Sequence, residues 1–375
     1  MTENDKKNTD VRKTTKAEHE ELMKIMRDIA KQERQAQLEE YQKIINETDA
    51  WHNPATFDKV LSLAEAGLPE AQWYVGQHYE WHKGHPKGYK ELVEHWLRLS
   101  AEQHYAPAEL ALGEWLYYGR KTYKADPECE QWLLLAAEHG EARACHFLGK
   151  LAKGKGDMIE ACRWWRKGAE GDDEWSQEEL AFCYETGQGV PYDLDKAIEW
   201  YKRAALHEFC IGNVDACYQI AVLKKYAMEK YVDLTGWESD RFWMGEKNML
   251  DGNLAKAVDL WRWDSDPRAK VMAAWQMLHR VEGKVTGHGE QYFDDEMFVE
   301  EEESIKAVAE TFLADKHPAA YYLKGYLYEE GICYIKADVF KAVEWYKKAS
   351  EAGDEVAAWK VNDLEKEMRA SHLIE

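Results

Sequence analysis

No window of the 375-residue chain approaches the roughly 18 apolar residues that a membrane-spanning helix needs. The first sixteen residues, MTENDKKNTDVRKTTK, likewise lack the apolar stretch of a secretory leader. Both absences point to a cytoplasmic protein. Positive charge is also short: 49 basic residues stand against 71 acidic ones, for a net charge of -22. Such a field repels the phosphates that dominate nucleic-acid affinity, and it repels anionic lipid as well. The expectation is therefore no nucleic acid, no membrane, and a protein or peptide partner bearing basic and apolar side chains.

Signatures of catalysis and of cofactors are equally scarce. The seven cysteines, Cys129, Cys145, Cys162, Cys183, Cys210, Cys217 and Cys333, form no CxxC pair and are odd in number. Most fall in apolar helical patterns, where a thiol acts as a small hydrophobe, so they read as reduced core residues. GKVTGHG, Gly283 to Gly289, lacks the GK[ST] ending and the preceding strand that wrap amides round a phosphate, and reads as a flexible insertion. In QHYEWHKGH, His78 and His82 share a helix face and His85 follows in a loop. With Glu80 on another face this is not the HExxH pattern, and the three read as surface histidines. The acidic run Glu300 to Glu303, after Asp294 to Glu296, reads as an acid-rich first turn favoured by the helix dipole. No serine, histidine and acid set stands out. The sequence thus predicts no catalytic residue, no metal ligand set, no cofactor and no enzyme.

What the chain does contain is a repeat. HWLRLSAE (His95 to Glu102), QWLLLAAE (Gln131 to Glu138), WWRKGAEG (Trp164 to Gly171), WYKRAA (Trp200 to Ala205) and WYKKASEAG (Trp345 to Gly353) are versions of one phrase. Trp96, Trp132, Trp164 and Trp200 lie 36, 32 and 36 residues apart, a solenoid period. A small residue follows at a fixed offset: Gly76, Gly113, Gly149 and Ala181 lie 12 residues after Ala64, Ala101, Ala137 and Ala169. Two phrases per period mean two helices per unit, a first helix carrying the small residue and a second carrying the tryptophan. Pro69, Pro107, Pro267 and Pro318 suit the first turns of first helices, and Gly119, Gly187 and Gly331 suit their ends. Asn53 and Asp126, each before a proline, read as N-caps. The repeat tryptophans Trp96, Trp132, Trp164, Trp200 and Trp345, recurring at one register, read as core.

Glu179 to Ala205, ELAFCYETGQGVPYDLDKAIEWYKRAA, resembles a nearly complete Sel-one-like repeat, a tetratricopeptide-like motif with a longer loop between its helices. Tyr322 to Asp354 resembles it almost as well, and the resemblance extends over about Phe57 to Trp359. It implies an all-α fold, an alpha-alpha superhelix built as a right-handed solenoid, used as a scaffold or adaptor in protein complexes. Secreted bacterial relatives carry a cysteine pair in every unit, and endoplasmic-reticulum relatives carry a signal and an anchor. This chain shows neither pattern.

The chain accordingly divides into a disordered tail (1–13), an N-terminal helical segment (14–50), a repeat array (51–206), divergent repeats with two insertions (207–316), and a C-terminal repeat with a capping helix (317–375). In the N-terminal segment, Leu22, Met26, Ile29, Leu38, Tyr41 and Ile45 form an apolar stripe expected to dock on the first repeat rather than to dimerise.

At about 100° per residue, the first-helix positions five before, one before and three after the small residue form a buried side: Ala71, Val75 and Tyr79, or Ala108, Leu112 and Leu116. Positions three before and one after lie opposite, on what tetratricopeptide-like arrays use as their concave lining. These are Trp73 and Gln77, Leu110 and Glu114, His146 and Lys150, Glu178 and Phe182, Tyr218 and Val222, Val271 and Trp275, and Tyr322 and Tyr326. Such an aromatic-rich row has the composition of a recognition surface. The expected function is a protein-binding scaffold with an aromatic-lined groove in an acidic solenoid. Two alternatives are a neutralising partner of a basic toxin or nuclease, for which acidity is suitable, and a metal-dependent or hydrolytic enzyme.

Overall fold

The computed structural model describes residues 3–47, 53–81, 86–118, 127–207, 214–230, 242, 244, 260–261, 266–274, 305–331 and 335–374, and every structural statement concerns these. All regular structure among them is helical. The helices are α1 (Glu3–Glu47), α2 (Pro54–Glu65), α3 (Pro69–Trp81), α4 (Tyr89–Ala101), α5 (Ala106–Tyr117), α6 (Cys129–Glu138), α7 (Ala142–Gly154), α8 (Met158–Glu170), α9 (Glu174–Thr186), α10 (Leu194–Ala205) and α11 (Val214–Lys230). Helical stretches over 267–274 and 305–313 follow. Last come α12 (Pro318–Glu330), α13 (Val339–Glu351) and α14 (Glu355–Ala370).

Local signals set these boundaries. Asn53 caps α2 by accepting from the Ala55 N–H, and Asp157, Asp173, Asp193, Asp338 and Asp354 cap α8, α9, α10, α13 and α14 in the same way. Pro69, Pro107, Pro267 and Pro318 all lie in first helical turns. Gly187 and Gly331 end α9 and α12 with φ of 70°, the left-handed conformation that a residue without Cβ adopts freely. Asp126 and Gly119 lie outside the described residues.

The chain forms two compact units, Met1–Ala144 and Cys145–Glu375. In the first, α2 to α6 pack each against the next. Leu97 of α4 lies over Gly76 of α3, and Leu133 of α6 lies over Gly113 of α5, so that a Cβ on either glycine would meet the leucine at 2.8 or 2.7 Å. A helical glycine costs about 1 kcal/mol relative to alanine; the close helix approach is what that cost permits. Buried polar groups join successive helices: Ser100 Oγ donates to the Pro69 carbonyl at 2.7 Å, and Gln72 Nε2 donates to the Ala64 carbonyl at 3.1 Å. The later part of α1 docks here as expected, through Leu38, Tyr41 and Ile45, together with Ile44. Its earlier part leaves Met26 and Ile29 exposed. α1 begins at Glu3, inside the stretch expected to be a disordered tail.

The second unit repeats the same interlock. Trp165 of α8 lies on Gly149 of α7 and donates from Nε1 to the His146 carbonyl at 3.2 Å, and Tyr346 of α13 lies on Gly325 of α12. Two carboxylates, Glu185 buried and Glu329 partly buried, are each held between three helices. Glu185 of α9 accepts from the Tyr201 hydroxyl of α10 at 3.1 Å and from Lys224 of α11 at 3.3 Å. Glu329 of α12 accepts from the Tyr346 hydroxyl at 2.7 Å and pairs with Lys360 of α14 at 3.0 Å. In these two repeats a phenol of the second helix is thus tied to an acid four residues after the small residue of the first helix. Five cysteines, Cys129, Cys145, Cys162, Cys183 and Cys217, are free and buried, as their apolar settings predict.

One expectation about the core is wrong by one residue. Trp96, Trp132, Trp164, Trp200 and Trp345 are only half-buried, whereas the residues after them, Leu97, Leu133, Trp165, Tyr201 and Tyr346, are each 0% exposed. A step of one residue turns the side chain by about 100°, and the central line of contact runs through the second position. The recurring tryptophans sit at the edge of that contact. In the second unit each carries a cation one turn later on the same helix: Lys167 over Trp164, Arg203 over Trp200 and Lys348 over Trp345, at 5.5, 4.7 and 3.9 Å.

Candidate protein-binding surface

The first helices position the candidate surface. Ala71 and Val75 in α3, and Ala108, Leu112 and Leu116 in α5, are buried, so the opposite faces of these helices turn outward. In the first unit the predicted row is present and partly open: Trp73, Gln77, Leu110 and Glu114 are all half-buried. Trp73 packs edge-on against Tyr105, with centroids 6.1 Å apart. Gln77 Oε1 accepts from Trp81 Nε1 at 3.0 Å, holding an exposed indole beside the row. Glu114 accepts from Arg143 Nε at 2.8 Å. Exposed Tyr118 adjoins this pair; its hydroxyl pKa is raised by partial burial and then by Glu114, with Arg143 opposing, so it remains a protonated donor at neutral pH.

In the second unit the row divides. Lys150, Phe182, Tyr218 and Tyr326 are half-buried and keep an accessible edge, while His146, Glu178 and Tyr322 are buried and cannot line a surface. Tyr322 is core because its ring packs on Tyr346, with centroids 4.7 Å apart, and its hydroxyl donates to Asp215 at 2.7 Å. His146 lies against Phe147 and Trp175. Lys153 stands 5.8 Å from the Phe182 ring centroid and pairs with Glu179 at 3.2 Å. Burial, and after it Asp354 and Glu355, push the Tyr218 hydroxyl up to about 12. Trp275 lies outside the described residues.

Two corrections to the sequence reading follow. The position directly after the small residue, Gln77, Glu114, Lys150, Phe182 and Tyr326, is the consistently accessible one, whereas the position three before it is often core. The row also gathers little negative charge, because Glu178 is buried and Glu114 is matched by Arg143. Arg143 was missed for lack of a local signal, lying 29 residues from its partner. Of the histidine pattern His78, His82 and His85, the last two lie outside the described residues. His78 is buried and stacks on Phe57 at 4.0 Å. The insertion residues Gly283 to Gly289 and the acidic runs Asp294 to Glu296 and Glu300 to Glu303 are likewise outside.

The Sel1 repeat family matches this chain at residues 106–141, 142–173, 176–208 and 318–354. Those segments hold the pairs α5–α6, α7–α8, α9–α10 and α12–α13. Among solved structures, the chain is similar to a Sel1 repeat protein from Oxalobacter formigenes, with 32% identity, 52% of this chain and 79% of that one covered, and a TM-score of 0.39. It is also similar to a protective antigen present in uropathogenic Escherichia coli strains, which displays an SLR fold, with 22% identity, 82% and 67% of the two chains covered, and a TM-score of 0.39. No curated protein matches it.

Proposed function

The chain belongs to the Sel1 repeat family, and from that premise we propose that it is a scaffold or adaptor that holds a protein or peptide against the outward row of its first helices. Sel1 and TPR-like repeats are generally protein–protein interaction scaffolds, and the fold is typically non-catalytic. The observation that carries the reading is an accessible position just after the small residue that recurs within each unit, Gln77 and Glu114 in the first, flanked by half-buried Trp73 and Leu110, and Lys150, Phe182 and Tyr326 in the second. Aromatic and polar side chains held on packed helices supply anchors that lose little entropy on binding. The partner offers apolar groups to these anchors, and its basic character follows from the charge of -22 on the whole chain rather than from acids in the row.

The test compares the full chain with Trp73→Ala/Phe182→Ala, each immobilised in extract of the native cell. A partner retained at a fixed ratio by the wild type and released by the double variant supports the surface, provided helical circular dichroism and melting are nearly kept. Equal retention by both proteins refutes it. Buried aromatic anchors at interfaces typically contribute about 2 kcal/mol each, so the pair should weaken binding by roughly three orders of magnitude at most.

A further inference from the structure

In the first unit, His104, Glu109 and His139 are brought together from three places. His104 lies in the turn between α4 and α5, Glu109 in the first turn of α5, and His139 at the end of α6. Their ligand atoms all lie within 4.8 Å of one another. His139 Nδ1 is 2.6 Å from Glu109 Oε2, and His104 Nδ1 is 3.4 Å from Glu109 Oε1. The Glu109 side chain is 0% exposed, while the two imidazoles are 71% and 38% exposed. Oε1 of Glu109 has no hydrogen-bond partner. A carboxylate withdrawn from water with an oxygen unsatisfied is costly and calls for an explanation.

Two other repeats sharpen the anomaly. Four residues before the small residue, where α5 has Glu109, α3 has Gln72 and α9 has Gln177. Both glutamines donate from Nε2 to a carbonyl eight residues earlier, Ala64 at 3.1 Å and Ala169 at 3.5 Å. A carboxylate has no proton to give and cannot make that bond. In α5 the neutral donor of those two repeats is replaced by a buried anion, and a histidine stands on either side of it.

We propose that His104, Glu109 and His139 form a binding site for a divalent transition-metal ion of the zinc class, which joins the turn before α5 to the turn after α6. Two imidazoles and a carboxylate are a donor set that zinc accepts, with bonds of about 2.0–2.1 Å and a remaining position for water. A tetrahedral ion with such bonds holds its ligand atoms about 3.3 Å apart; here His104 faces Oε1 of Glu109 and His139 faces Oε2, and one donor atom from each residue lies within 4.8 Å of the others, so small side-chain shifts close the set. The exposed imidazole edges give the ion a way in. The site is independent of the partner-binding surface, and its charge answers the unsatisfied Glu109 oxygen.

The experiment uses the full chain, stripped with a chelator, dialysed and titrated with Co2+ and with Zn2+. One equivalent of Co2+ should give visible bands of a four- or five-coordinate ion, displaced by Zn2+, and Zn2+ should raise the melting temperature. Glu109→Gln installs the residue that two other repeats carry at this position, so it should keep the fold, and it should weaken binding at least tenfold. His104→Ala alters an exposed side chain and should do the same. His82→Ala/His85→Ala should bind as the wild type does. A wild type that takes up no stoichiometric metal overturns the proposal, and so does unchanged binding in both Glu109→Gln and His104→Ala. Loss of the bands in His82→Ala/His85→Ala instead assigns the metal to that other cluster and overturns it equally. If Glu109→Gln does not fold, His104→Ala alone decides.

Discussion

Adjacent tryptophans in α8 offer a sharp test of how the repeats pack, since Trp165 is 0% exposed and Trp164 is half-buried. Burying a whole indole removes on the order of 200 Å² from water, which at about 25 cal/mol per Å² is worth about 5 kcal/mol. Emptied aromatic sites in cores cost about 3–5 kcal/mol. Trp165→Ala also removes the indole donor to the His146 carbonyl and leaves Gly149 facing a void. We expect a loss of about 4 kcal/mol for Trp165→Ala. Trp164→Ala forfeits part of one ring's burial and an exposed cation contact with Lys167 worth about 0.5–1 kcal/mol, for a loss of roughly 1–2 kcal/mol. Hydrogen exchange resolved by peptide reads the difference locally, without assuming that the two units unfold together. Amides of α7 to α9 should exchange about 30- to 150-fold faster in the Trp165 variant than in the Trp164 variant, the ratio that a difference of about 2–3 kcal/mol implies. Equal acceleration, or a larger effect at Trp164, would refute the assignment of the second position as the line of contact.

Two further outcomes follow from named ion pairs. Arg98 binds Glu128 through two hydrogen bonds, at 2.6 and 3.1 Å, and holds its carboxyl below the usual carboxylate range. The bridge therefore stabilises the fold above the unfolded carboxyl pKa and loses that effect as pH falls through the lowered folded value; the stability difference between wild type and Arg98→Ala should be present at pH 7, under about 1 kcal/mol for so exposed a pair, and absent at pH 2.5 in urea titrations. Lys224 is buried with Glu185, so Lys224→Met should cost about 3 kcal/mol by leaving a buried anion, and Lys224→Met/Glu185→Gln should recover part of that loss in the same denaturant assay; a double variant as unstable as the single one would contradict a charge-based cost.

Much of the fold was legible because its rules are local. The spacing of Gly76, Gly113 and Gly149 from the preceding alanines, the prolines of first turns and the glycines at Gly187 and Gly331 each constrain a short stretch of backbone, and each was found where the pattern required. The buried side of α3 and α5 was legible for the same reason. The register of the second helix was not, since WW and WY pairs offer two large rings 100° apart and nothing in the phrase says which one meets the glycine. The candidate surface was the least legible part. His146, Glu178 and Tyr322 look like surface residues by type and spacing, but their burial is decided by chain from elsewhere, as with Asp215, which lies 107 residues from Tyr322. The His104, Glu109 and His139 cluster gave no signal for the same reason, because 30 residues and a helix pair separate its last two members.

The acids Glu185, buried, and Glu329, partly buried, bear on how such a chain changes over generations. Each is held by a phenol from its own repeat and an ammonium from the next helix, Lys224 in one case and Lys360 in the other. The joint is the same although the helices that follow, α11 and α14, differ in sequence. A repeat that ends in this joint can be followed by any helix that brings a lysine to the right turn. Duplication or loss of a whole repeat then leaves a satisfied junction behind, whereas a break inside a repeat strands a carboxylate in the core. Selection would accordingly edit this chain in units of about 30 to 40 residues, the length of a helix pair.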